Sequence, residues 1–192
     1  MKKRFTLVEV LAVVFLIGLL TAIGFGMYSY AMNAAKEKAT RSLFARLEAA
    51  IESCNTKFGY IPTSTATKKF NTISVTVSSG EITELNFGGR TFKSSVTSDQ
   101  DYLKEFLRVV DAETLKKSVK SGTLEDSWGE TIYYAYPGKF NATSYDLYSA
   151  GPNGRIGKSN ADLTDSNLDG SAIGDFKDSS DNSMICDDIV NF

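Results

Sequence analysis

The sequence has no histidine, only two cysteines and a formal net charge of −2. The lack of histidine excludes Ser–His and Cys–His catalytic pairs and removes the commonest metal ligand. The two cysteines are not arranged as CxxC, which argues against a zinc site or a redox pair. The small net charge argues against nucleic-acid binding, and no G-x-x-x-x-G-K-[ST] loop is present. We therefore expect no catalytic residues and a protein that is not an enzyme.

A long apolar run lies near the amino end. A basic cluster ending at Arg4 precedes it, and the run extends from Phe5 to about Met32. A helix needs about 20 apolar residues to cross a bilayer core of ~30 Å, so the run is long enough to span a membrane. A secretory signal peptide has a shorter apolar region of about 7–15 residues. A plain single-span anchor explains the length but leaves an acid at Glu9 unexplained.

Glu9 is the only acid within this run. A carboxylate deep in a bilayer costs roughly 2.5–3.5 kcal/mol on insertion scales, so such residues usually have a partner. No basic residue occurs between Arg4 and Lys36. The partner of Glu9 must therefore come from the start of the segment itself or from another chain.

The segment FTLVEVLAVVFLIGLL with its basic leader resembles the amino-terminal signature of type IV pilins and type II secretion pseudopilins. The resemblance implies that a prepilin peptidase cuts between Arg4 and Phe5, and that the new terminus is N-methylated. Glu9 would then be the fifth residue of the mature chain and act in assembly. The family usually has glycine before the cut, where this sequence has Arg4.

The helix is predicted to continue beyond the apolar run. Apolar residues recur at helical spacing up to Cys54, and Gly59 followed by Pro62 ends the pattern. We therefore divide the chain into a leader at 1–4, a transmembrane part at 5–32, an amphipathic part at 33–58 and a globular head at 59–192.

The head mixes strand and helix patterns. Residues 71–78 and 81–87 are predicted to form a hairpin broken at Ser79-Gly80, and 91–98 to form a loop. A helix is predicted over 98–122, capped by Ser98 or Asp99, with a second turn from Asp111 to Lys120. Residues 131–136 and 144–149 are strand-like. The predicted fold class is α+β, with one long amino-terminal helix packed on a small antiparallel sheet, as in the pilin fold.

Residues 124–157 carry a second resemblance, to the carboxy-terminal half of the major pseudopilin of type II secretion. That family has a D-P-W-G-x-x-Y-x-Y segment followed by Y-D-L-Y-S-x-G-A-D-G. The matching residues here are Asp126, Trp128, Gly129, Tyr134, Tyr136, Tyr145, Asp146, Leu147, Tyr148, Ser149, Gly151, Asn153 and Gly154. We interpret the aromatic residues among them as a packed core.

The stretch after Arg155 is rich in aspartate, and crowded oxygen donors suit Ca²⁺, which takes 6–8 of them. The resemblance implies a calcium site made by the Ala150 carbonyl, Asn153, Asp181, and either Asp187 or Asp188. A competing site starts at Asp162 and Asp165, although its spacing is not that of an EF-hand. The third interpretation is a solvated acidic tail.

Cys54 and Cys186 form a disulfide if the head lies outside the cytoplasm, where such bonds persist. The alternative is two separate buried thiols.

These patterns predict a structural subunit of a pseudopilus, a helical filament that serves type II protein secretion. The implied partners are other copies of the chain, minor pseudopilins, the inner-membrane assembly platform and the prepilin peptidase. The implied location is the bacterial inner membrane, crossed once, with the head in the periplasm.

A type IV pilus subunit for adhesion, motility or DNA uptake is the alternative, and only then is nucleic acid an expected partner. A membrane-anchored hydrolase or a substrate-binding lipoprotein would need a nucleophile with a base, or a lipobox cysteine.

Overall fold

A computed structural model describes residues 6–64, 70–155 and 189–191, with the backbone alone at 22–27. The chain forms two compact units, Met1–Lys38 and Ala39–Phe192. Helices and antiparallel strands are both present, so the predicted α+β class with a long amino-terminal helix is confirmed.

Helix α1 runs from Leu7 to Phe58. It ends as predicted, because Gly59 follows with a φ of +77°, a conformation that glycine adopts without the steric cost of a Cβ. In the second unit, Leu43, Leu47 and Cys54 belong to its buried stripe. The helical spacing expected for the amphipathic part is therefore confirmed from Leu43 onward.

Within 6–64, 70–155 and 189–191, no helix combines the length and the apolar character that crossing a membrane requires. The transmembrane assignment of 5–32 stays a prediction.

The described residues of the second unit form nine strands. They are β1 (Asn71–Thr72), β2 (Ser74–Ser78), β3 (Glu81–Asn86), β4 (Thr91–Lys93), β5 (Val119–Lys120), β6 (Thr123–Leu124), β7 (Tyr133–Ala135), β8 (Asp146–Ser149) and β9 (Ile189–Val190). One antiparallel sheet has the order β1-β7-β8-β9, and the other has the order β4-β3-β2-β6-β5. Ile73 lies between β1 and β2, where the chain passes from one sheet to the other. Its amide donates to the Ile132 carbonyl at 3.4 Å, and its carbonyl accepts the Leu124 amide at 2.9 Å.

Two strand predictions are confirmed and one loop prediction is wrong. Strands β2 and β3 form the expected hairpin around Ser79-Gly80, and β7 and β8 lie within 131–136 and 144–149. Residues 91–98 do not form a loop throughout, because β4 pairs with β3 and the next helix begins at Thr97.

The predicted helix over 98–122 is two helices and a hairpin. Helix α2 spans Thr97–Val110 and α3 spans Ala112–Lys117, after which β5 and β6 form a hairpin. Asp111 caps α3, since its carboxylate accepts the Thr114 amide at 3.2 Å. The predicted cap of α2 is wrong: its N-cap is Val96, and Asp99 instead accepts hydrogen bonds from Arg90 and the Lys93 amide.

The core joins the buried stripe of α1 to both sheets and to α2. Tyr134, Tyr145 and Tyr148 are buried, and Trp128 is half-buried against the core cluster, so the aromatic residues pack as expected. The Tyr134 hydroxyl donates to the Pro62 carbonyl at 2.6 Å, which ties the segment after α1 to strand β7.

Candidate assembly and metal sites

Glu9 is bound by the residue that caps helix α1. The Thr6 amide and hydroxyl both donate to Glu9 Oε2, at 2.8 and 2.9 Å, and the Glu9 amide donates to Thr6 Oγ1 at 3.3 Å. This reciprocal pair is a capping box, which satisfies two amides that a helix start otherwise leaves unbonded. The partner of Glu9 in the structure thus comes from the start of its own segment. The signal for this capping box in the sequence is T-x-x-E before an apolar run, which was not among the predicted features.

The residues on both sides of Glu9 present apolar side chains to the surroundings. Leu7 is 79% exposed, Phe15 70% and Leu20 67%, and the intervening valines and leucines are also largely exposed. Exposed apolar surface of this extent is typical of a contact with another protein or with a membrane. Arg4 and Phe5, the predicted processing residues, lie outside the described residues.

Asp126 organises the turn that precedes β7. Its Oδ1 accepts the amides of Trp128, Gly129 and Glu130 at 2.8–2.9 Å, and its Oδ2 accepts the Ser149 hydroxyl at 2.5 Å. Asp126 is only 7% exposed, so these bonds replace the lost hydration of its carboxylate. The resemblance pointed to Asp126, and the structure gives it the role of joining the turn to the end of β8.

The predicted calcium positions begin directly after β8. Ala150 is buried and precedes a 3-10 turn over Gly151–Asn153. Asn153 Oδ1 accepts the Arg155 amide at 2.7 Å. Strand β9 pairs with β8 so that Ile189 faces Ser149, and Asn191 Oδ1 accepts the Leu147 amide at 2.7 Å. Because β8 and β9 are antiparallel, this register places the amino end of β9 beside the carboxyl end of β8, next to Ala150.

A further carboxylate, missed by the sequence analysis, lies at this edge. A Cβ on Gly154 would come within 2.8 Å of Glu130 Oε1, so Glu130 packs against the residue that ends the 3-10 turn. Its carboxylate has no hydrogen bond or ion pair within 6–64, 70–155 and 189–191. Burial raises the pKa of Glu130, and the charges of Asp126 and Glu125 raise it further.

The remaining calcium positions, Asp181, Asp187 and Asp188, lie outside the described residues. The described part of the chain contains no group of three acidic, histidine or cysteine side chains suited to a metal ion. The calcium site therefore stays a prediction.

Cys54 is a buried free thiol in the structure. Its Sγ lies 3.8 Å from the Tyr102 carbonyl, and burial raises the pKa of the thiol to about 11. Cys186 lies outside the described residues, so the disulfide stays a prediction. Labelling of both thiols under non-reducing, denaturing conditions would contradict it.

Residues 108–166 match the family model described as Type II secretion system (T2SS), protein G. The match confirms the resemblance to the type II secretion pseudopilin family. The matched segment contains the Asp126 turn, β7, β8 and the 3-10 turn after β8. This similarity supports a role as a pseudopilus subunit in type II secretion. No curated protein and no solved structure matches the chain.

Proposed function

We propose that this pseudopilin is a structural, non-enzymatic subunit that assembles into the helical filament of a type II secretion system through helix α1. The family match over 108–166 carries the proposal. The exposed apolar side chains of α1 support it, because packing against neighbouring copies would bury them. The head would have the pilin fold, in which the long helix packs on the antiparallel sheet.

The proposal extends to processing and location. The prepilin peptidase would cut before Phe5, and residues 5–32 would hold the subunit in the inner membrane before assembly. The apolar run and the family relationship support this part. Minor pseudopilins and the inner-membrane assembly platform would be the other partners.

Deletion of the gene in its host tests the function. The deletion should abolish release of the secreted exoproteins, and the wild-type gene should restore it. Cells with native expression should shed no long fibres on shearing. Normal secretion by the deletion strain, together with long sheared fibres from the wild type, would instead favour a type IV pilus subunit.

We further propose that Ca²⁺ is bound at the edge formed by β8 and β9. Oxygen donors of the kind that Ca²⁺ prefers occur at Ala150, Asn153 and Glu130, and the acidic residues Asp187 and Asp188 directly precede β9 in sequence. The unpaired Glu130 carboxylate beside Gly154 supports the fit, because a cation would offset its charge. The bound ion would reduce repulsion among aspartates that follow Arg155.

Thermal unfolding of the purified full-length chain in detergent tests calcium binding. Calcium at a hundredfold excess over Kd should stabilise the fold by about 2.7 kcal/mol, so the chain should melt at a higher temperature than in EDTA. Asp187→Ala combined with Asp188→Ala should remove this difference, whereas Asp162→Ala combined with Asp165→Ala should keep it. An equal melting temperature of the wild type in calcium and in EDTA would contradict the proposal.

A further inference from the structure

A surface cavity of about 260 Å³ lies between α1 and α3 in the second unit. Two cationic residues, Arg46 and Lys117, line it, together with four hydroxyl residues, Ser42, Thr114, Ser118 and Ser127. No acidic side chain is among the described residues that line this cavity. The chemistry of its wall therefore suits an anion.

Of the two positive charges in the cavity, that of Arg46 has an acidic group nearby, Asp111, and that of Lys117 has no ion-pair partner among the described residues. Arg46 donates to the Val110 carbonyl at 3.3 Å, which directs its guanidinium without neutralising it. Asp111 is the acidic group whose field reaches Arg46. Its carboxylate is already bound by the Thr114 hydroxyl at 2.6 Å, and this bond lowers the pKa of Asp111 more than Arg46 does.

Lys117 is without an ion-pair partner among the described residues, although its neighbour Lys116 pairs with Glu113 at 2.7 Å. The hydroxyls of Ser42 and Ser127 likewise have no hydrogen-bond acceptor in the described part of the chain. An ammonium group and two hydroxyls are thus available to donate to an incoming carboxylate, and charge-assisted bonds of this kind are the stronger ones.

The sequence contains a segment with the complementary charge. Residues 162–178 include five aspartates and one lysine, whereas the whole chain has a net charge of only −2. We propose that the cavity receives an aspartate carboxylate from residues 162–178 of a second copy of this chain. Complementary charge fixes the register between two surfaces more than it adds affinity, so the contact would set how neighbouring subunits are oriented. The inference rests on the self-assembly proposed above.

Zero-length crosslinking tests this contact directly. Equal amounts of unlabelled and ¹⁵N-labelled full-length chain are mixed in detergent and treated with a carbodiimide. The reagent activates a carboxylate so that a lysine amine forms an amide with it. Mass spectrometry then identifies the linked peptides. The expected product joins Lys117 of one isotope to an aspartate of residues 162–178 of the other. Lys104, exposed on α2, is the matched control and should form this link rarely.

The outcomes separate this contact from self-assembly. If Lys117 is linked to the acidic segment only in products whose two peptides carry the same isotope label, the segment binds its own chain. That result would overturn the inference. Mixed-isotope links that leave out Lys117 would also overturn it while keeping self-assembly. The absence of any mixed-isotope link would contradict the self-assembly itself.

A charge reversal provides a second readout. Arg46→Glu reverses the other positive charge of the cavity and keeps the Lys117 amine, so it should lower the yield of mixed-isotope links between Lys117 and the acidic segment about two- to fivefold, the range expected for an exposed ion pair. Lys104→Glu changes the net charge of the chain equally and should leave that yield unchanged. An equal loss in both variants would mean that net charge, and not this cavity, determines the contact.

Discussion

Two carboxylates, in different parts of the chain, accept hydrogen bonds from backbone amides that secondary structure leaves unbonded. Glu9 accepts the Thr6 amide at the start of α1, and Asp126 accepts three successive amides in the turn before β7. Backbone amides that secondary structure leaves unbonded need an acceptor, and a carboxylate offers two oxygens close to the backbone. Each acid thereby fixes the conformation of a short segment.

Asp126→Ala should destabilise the head. The substitution leaves the amides of Trp128 and Glu130 and the Ser149 hydroxyl without their acceptor, whereas the Gly129 amide keeps the Asp126 carbonyl at 3.2 Å. The cost should be about 3 kcal/mol. Urea unfolding of the full-length chain in detergent measures it. Asp101→Ala removes an exposed aspartate of α2 and serves as the control, with a change of less than about 0.5 kcal/mol. Equal losses from the two variants would contradict the structural role of Asp126.

Helices α1 and α2 are joined by a network around Glu105. Arg108 of α2 donates to it, as do Ser53 at 2.8 Å and Lys57 at 3.1 Å from α1. Arg108 makes the largest contribution to lowering the pKa of Glu105 to about 2, followed by Ser53 and Lys57. The network favours the charged carboxylate, so it contributes stability only while Glu105 is ionised.

This network predicts a pH dependence. An unfolded glutamate has a pKa of about 4.3. Because the folded pKa is lower, the stabilisation is fully present above about pH 4.3 and is lost as the pH falls through about 2. Glu105→Gln should therefore be less stable than the wild type at pH 7, and the difference should shrink across this window. Urea unfolding at several pH values measures it.

Glu81→Gln, which alters an exposed residue of β3, should keep the pH profile of the wild type. A constant difference between Glu105→Gln and the wild type from pH 7 to pH 2 would contradict the role of the ion pairs.

The two Ser-Gly dipeptides show where sequence patterns suffice. Ser79-Gly80 and Ser121-Gly122 both have positive φ at the two residues and both form hairpin turns. The first was predicted because alternating residues surround it. The second was missed, since a helical pattern runs up to it and strands β5 and β6 have only two residues each. Pairing with β2 stabilises β6, and this tertiary contact leaves no local periodicity.

The long helix and its apolar stripe were predictable because 3.6-residue periodicity and a terminal glycine are local signals. The position of Glu130 was not, since it depends on the approach of Gly154 from another part of the chain. The cap of α2 was mistaken for a similar reason: Asp99 is recruited by Arg90, a tertiary contact that outweighs its capping preference.

For the whole molecule, we predict that filament assembly depends on Glu9. We predict that Glu9 accepts a hydrogen bond from the mature amino group of Phe5 in a neighbouring subunit, whereas the capping box joins it to Thr6 of the same chain. Thr6→Ala removes the side-chain half of the capping box, which should cost about 1 kcal/mol of helix stability and leave the carboxylate available. Glu9→Val removes the carboxylate and therefore both interactions.

The measurement is the amount of fibre in the sheared fraction of cells that overproduce each variant at equal membrane levels. Wild type, Thr6→Ala and the control Glu52→Val, which alters an exposed residue of the same helix, should give fibres. Glu9→Val should remain in the membrane fraction and give none. Wild-type amounts of fibre from Glu9→Val would contradict the claim, and equal losses from Thr6→Ala and Glu9→Val would show that Glu9 acts through the helix cap alone.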